Sequence, residues 1–128
     1  LRIPSVIALK DFVSSMRQSA FTRFNVFLRD NFSCPYCYHK FSANELTFDH
    51  LIPKCTGGKT TWTNVVSACT LCNVKKGRRL LKFTDMYLKK KPMKPSSEKL
   101  QKNGRNFPPN YLHESWRDYL YWDTELEN

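Results

Sequence analysis

Leu46-Thr47-Phe48-Asp49-His50-Leu51-Ile52-Pro53 stands between two paired-cysteine turns, Cys34-Pro35-Tyr36-Cys37 before it and Cys69-Thr70-Leu71-Cys72 after it. Leu46, Phe48 and the run from His50 to Ile52 predict a short strand. Pro53 ends it, because proline has no amide donor for a ladder hydrogen bond. Moving outward, Gly57-Gly58 marks a loop, and Val65-Val66-Ser67-Ala68 reads as the returning strand. Residues 70–76 predict a helix closing near Gly77, where the lack of a Cβ permits a left-handed cap. The order is strand, long loop, strand, helix, which makes the fold class α+β.

A C-x-x-C turn presents two thiolates from one tight bend, and two such turns supply the four ligands of a closed tetrahedral zinc site. Cys34, Cys37, Cys69 and Cys72 are the expected ligands. A site with four cysteines has no open position for substrate, so this zinc is expected to brace the fold. Five cysteines leave one over, and the pattern does not suit a disulfide framework. Cys55 reads as a loop thiol without a role.

The flanks differ in texture. Residues 1–31 carry Val6, Ile7, Leu9, Phe12, Val13, Phe21, Phe24, Phe27 and Leu28 at spacings of short amphipathic segments, with one helix expected over residues 22–31. They are read as an N-terminal brace on a core of residues 32–81. Residues 82–110, with Lys89-Lys90-Lys91 and few apolar side chains, read as an exposed, partly flexible basic linker. Residues 111–128 return to aromatic character. Leu112, Trp116, Tyr119 and Leu120 share one helical face, so a C-terminal helix packing on the core is expected.

The 128 residues hold 21 Lys and Arg against 11 Asp and Glu, a net charge of +10. So strong a positive field on a small surface points to a polyanionic partner. No stretch approaches the roughly 20 apolar residues of a membrane span, and a cytoplasmic protein without a membrane partner is expected. The chain begins at Leu1 rather than Met, so residues preceding it are expected.

The combination of a cysteine knuckle, Asp49-His50-x-x-Pro53, Gly57-Gly58-Lys59, Trp62-x-Asn64, and a second knuckle followed by Asn73 and Lys76-Gly77 closely resembles the HNH endonuclease family. The resemblance runs from Cys34 to about Arg79. The aromatic tail with Trp116 also looks like the ending of many small bacterial members. Asn73 stands where the third signature residue is often histidine, which makes this an H-N-N variant. The resemblance implies a ββα-metal core, also called a His-Me finger, and a metal-dependent nuclease acting on DNA, taken as double-stranded.

Residue chemistry argues in the same direction. Phosphodiester hydrolysis needs an activated water, charge compensation and alignment. Asp49 and Asn73 offer hard oxygen donors suited to Mg2+ or Mn2+. Neighbours in a strand face opposite ways, which favours a division of labour between Asp49 and His50. His50, with an ordinary pKa of about 6.5, is the expected general base. By resemblance Asn64 is the middle signature residue, anchoring the His50 segment. Lys54, Lys59, Lys75, Lys76, Arg78 and Arg79 are the candidate phosphate contacts. No recognition helix is evident, so weak sequence specificity is expected. The alternatives are a zinc-braced nucleic-acid-binding module without activity, and a nuclease directed at single strands or RNA. The sequence is silent on oligomeric state.

Overall fold

The computed structural model describes residues 20–105 and 125–126. Its first helix, α1 (Arg23–Arg29), starts where Thr22 turns its hydroxyl back to accept from the Asn25 amide at 3.1 Å. That bond satisfies one of the amides that a helix start leaves free. Every α1 residue from Phe24 to Arg29 is buried. Beyond it the backbone enters the left-handed region at Asn31 and Phe32, φ 56° and 51°. The strain is offset by burying the Phe32 ring, which packs edge-on against Phe24 and Phe27 at 6.2 and 5.8 Å.

Strands β1 (Leu46–His50) and β2 (Val65–Cys69) pair antiparallel, with Leu46 opposite Cys69 and His50 opposite Val65. Alternation sends Phe48 to one face, where its ring meets Phe27 of α1 at 5.2 Å. Thr47 and Asp49 face the other way. There they meet α2 (Thr70–Lys76), which follows β2 directly and ends at Gly77, φ 62°. Asn73 and Lys76 of α2 reach down to β1. The two strands thus lie between two helices, and the strand, loop, strand and helix order expected from the sequence is observed.

Buried Arg29 bolts α1 to the sheet. It donates to the carbonyls of Trp62 and Val65 at 2.8 and 2.7 Å and pairs with Asp30, whose other role is to accept from the Ser67 amide at 3.0 Å. Its charge is balanced and its donors are filled, which makes burial tolerable.

The segment read as a flexible linker is not uniform. Residues 97–105 form a helix, α3 (Ser97–Arg105), started by the Ser96 hydroxyl and held on α1 by buried Leu100. Asn103 donates to the carbonyl of Leu28 at 3.0 Å, satisfying a last-turn acceptor of α1. Ser96, Leu100 and Asn103 thus override a strongly polar composition. The expected amphipathic segments before residue 20 and the aromatic helix after residue 110 lie outside the described residues, apart from 125–126. There, Leu126 donates to the Phe21 carbonyl at 2.7 Å. Among the described residues no helix is long and apolar enough to cross a membrane.

Candidate metal centres and nuclease site

The first knuckle is a tight turn closed by two backbone bonds, Tyr38 to the Cys34 carbonyl at 2.8 Å and Cys34 to the His39 carbonyl at 3.0 Å. The second is the start of α2, where Cys69 is the cap and its sulfur accepts from the Cys72 amide at 3.4 Å. The sheet brings the two together. The sulfurs of Cys34, Cys37, Cys69 and Cys72 lie within 4.8 Å of one another, with Cys37 and Cys69 at 3.9 Å. Four sulfurs around a zinc at about 2.3 Å are separated by about 3.8 Å, so the cluster fits a tetrahedral ion. Burial and neighbouring sulfurs push the Cys37 and Cys72 thiols up, as expected of thiolates lacking a cation. Cys34 moves the other way: burial opposes ionisation, but hydrogen bonds at Cys69, Cys37 and Tyr36 outweigh it. His39 is exposed and is not needed.

Between Cys34 and Cys37, Tyr36 points at the neighbouring face of β1. Its hydroxyl donates to Oδ2 of Asp49 at 2.5 Å, and Lys76 Nζ donates to Oδ1 at 3.2 Å. Asp49 is thereby buried, 3% exposed, with its two oxygens divided between a phenol and an ammonium. Burial, and then the Asp49 carboxylate, raise the Tyr36 pKa well above its ordinary value, so the phenol keeps its proton and remains a donor.

Sequence reasoning places Lys76 among the phosphate-contacting cations, and the structure corrects this. The side chain is fully buried, donating to Asp49 and to the His50 carbonyl at 3.0 Å. A buried ammonium held by a carboxylate and a carbonyl has no surface from which to meet a phosphate. Its place three residues after Asn73, on the same helical face, is the sequence signal that could have marked it. Tyr36 carries no such local signal, because its partner lies on another element.

Asn73 donates through Nδ2 to Thr47 Oγ1 at 2.7 Å and to the Phe48 carbonyl at 3.1 Å. Both partners fix the amide's orientation, leaving Oδ1 without a partner among the described residues. Asp49 keeps spare lone pairs on both oxygens. A free carboxamide oxygen and a carboxylate on the α2 side of β1 form a donor set that suits a hard divalent ion.

The His50 ring turns to the loop, with Nε2 at 2.9 Å from Thr60 Oγ1. Its pKa falls below 6.5 through burial first and then the Lys54 charge, with Lys76 adding to this and Asp49 opposing it. Asn64 holds the same loop. It accepts from the Ile52 amide at 2.9 Å and donates to the carbonyls of Ile52 and Lys59 at 3.1 and 2.8 Å. Among the described residues no hydrogen bond joins the His50 ring to Asp49, Asn64 or Asn73. Asp49 of β1 and Asn73 of α2 lie between that strand and that helix, while His50 stands at the loop end of β1.

Of the other cations, Lys54, Lys59, Lys75, Arg78 and Arg79 are exposed. Lys75 lies 3.7 Å from Asp85, and Arg79 turns back to bond the Lys75 and Lys76 carbonyls at 2.6 and 3.1 Å, closing the end of α2. Cys55 is exposed.

No curated protein and no solved structure matches the chain. A family model described as HNH endonuclease does match, over residues 34–89, a span that takes in both knuckles, the strand pair and α2. Residues 34–89 are therefore similar to the HNH endonuclease family.

Proposed function

We propose that the protein is a divalent-metal-dependent endonuclease that hydrolyses DNA phosphodiester bonds. The observation that carries this reading is that, within the span similar to the HNH endonuclease family, an oriented Asn73 oxygen without a partner among the described residues lies on the same side of β1 as the Asp49 carboxylate. Asp49 and Asn73 would hold Mg2+ or Mn2+, which supplies charge compensation at the phosphate oxygens.

His50 takes the proton from the attacking water. In the tautomer whose Nε2 donates to Thr60 Oγ1, Nδ1 keeps the basic lone pair, and the lowered pKa leaves the ring neutral at neutral pH. Asn64 fixes the loop that carries Thr60, and so fixes the ring. Lys54, Lys59, Lys75 and Arg78 are exposed near these elements and contact flanking phosphates, with double-stranded DNA the substrate.

One observation favours a second reading. Lys76 already neutralises Asp49, as a scaffold without catalysis would also require, and a zinc-braced nucleic-acid-binding module would keep that pair. Plasmid incubated with the protein and Mg2+ or Mn2+ separates the two. Nicking or linearisation that disappears in His50→Ala, with zinc content and thermal midpoint retained, is the expected result. Intact plasmid with the wild-type protein, or full cleavage by His50→Ala, would sink the nuclease reading.

A further inference from the structure

An open groove of about 650 Å3 lies between the first knuckle, at Ser33 to Pro35 and Tyr38, and the segment entering α3. Five exposed lysines line it, Lys89, Lys90, Lys91, Lys94 and Lys99. The acid on its wall, Asp30, is already engaged by Arg29 and by the Ser67 amide. Among the described residues the groove thus presents an excess of positive charge.

These lysines are not a free tail. Arg29 donates to the Met93 carbonyl at 3.4 Å, Pro95 is buried, and α3 begins at once and packs on α1. Pro92 and Pro95 fix the backbone φ at two points of the segment, which limits its freedom between the knuckle and α3.

Tyr38 completes the lining. It is 49% exposed, and its backbone sits at φ 65°, where glycine would be free of strain. A bulky side chain at that position costs stability, and the ring recovers little of it through burial. The Lys89 ammonium lies 4.6 Å from its centroid, which keeps the ring at the mouth of the lysine-lined groove. An aromatic face beside a row of cations is the arrangement that holds a nucleic-acid strand, bases stacking on the ring and phosphates on the ammonium groups.

We infer that this groove binds a single strand of nucleic acid, with an unpaired base on Tyr38 and the backbone on Lys89, Lys91 and Lys94. The inference rests on the nuclease reading of the same domain and adds a second binding surface to it. Pro35 lines the groove, and the next residue, Tyr36, holds Asp49. A bound strand would therefore lie beside the knuckle that carries the carboxylate's hydrogen bond.

The test uses the full chain, without added divalent ion, titrated into a labelled single strand of about 20 nucleotides and its duplex, read by fluorescence anisotropy. Lys89→Ala/Lys91→Ala/Lys94→Ala should weaken single-strand binding at least tenfold and reduce the slope of log affinity against log salt by about 2, at roughly 0.7 for each phosphate no longer neutralised. Lys40→Ala/Lys82→Ala/Lys102→Ala removes the same charge from exposed sites off the groove and should do much less. Tyr38→Ala should weaken the single strand about fivefold or more and leave the duplex unchanged. Equal weakening in the two triple variants, an unchanged single-strand affinity in Tyr38→Ala, or no binding by the wild type would overturn the groove. Plasmid cleavage is measured in parallel. Groove-dependent binding without cleavage would overturn the nuclease reading alone, and cleavage with groove-independent binding the groove alone.

Discussion

At Asp49, a buried carboxylate has one oxygen on a phenol from the first cysteine knuckle and the other on an ammonium from α2. These partners differ in what their removal leaves behind. Tyr36→Phe removes a neutral donor while keeping the ring, and should cost about 1–3 kcal/mol in urea unfolding. Lys76→Met leaves a buried charge uncompensated, and should cost more, about 3–5 kcal/mol. The reverse order would mean that the ammonium is not the counterion of Asp49. Tyr36→Phe should also raise the Mg2+ concentration needed for half-maximal cleavage while zinc content stays the same. His50 gives a pH test. Its pKa lies below 6.5, because burial and the Lys54 charge disfavour the protonated ring. A general base works unprotonated, so cleavage should rise as pH climbs through that lowered value, with the acid limb of kcat below 6.5. Lys54→Ala removes a charge that depresses it and should move the limb upward.

The elements show why the loop between β1 and β2 matters to His50. A Cβ at Gly58 would collide with the carbonyl of Ile52 and crowd that of Pro53. Ile52 cannot yield, because Asn64 holds both its amide and its carbonyl. Gly58→Ala should therefore shift the loop and the Thr60 bond to His50, lowering cleavage at least tenfold with zinc retained. Gly57→Ala faces open space at φ 95° and should cost only backbone strain, about 1–2 kcal/mol. Cleavage assays and urea titrations of the pair separate the effects. β1, β2 and α2 are legible in the sequence because alternation, Pro53, the glycine pair and Gly77 are local signals. α3 is not, since a single buried apolar residue, Leu100, and the cap made by Asn103 give no periodicity to read. The site is half legible for the same reason. Asp49, His50, Asn64 and Asn73 belong to a spaced motif, whereas the clamp of Tyr36 and Lys76 on Asp49 exists only once three elements meet.

For the whole molecule, the magnitudes decide what zinc does. A structural zinc contributes on the order of 10–16 kcal/mol in small domains, and a domain's net stability is typically about 5–15 kcal/mol. Removing the ion should therefore unfold residues 34–76 and not merely loosen them. The thiol chemistry sets the conditions. Without a cation, burial and neighbouring sulfurs raise Cys37 and Cys72, so the emptied cluster carries protons at neutral pH that zinc must displace. Zinc should accordingly be released more readily as pH falls, and chelation should become easier with it. Because Tyr36 lies between two of the sulfurs, release of the ion also frees the donor on Asp49. Chelation followed by excess Mg2+ should give no cleavage and a collapsed thermal transition. Adding Zn2+ back should restore both together. Full cleavage by zinc-free protein, or a thermal midpoint that ignores the chelator, would show that the four sulfurs do not hold the fold.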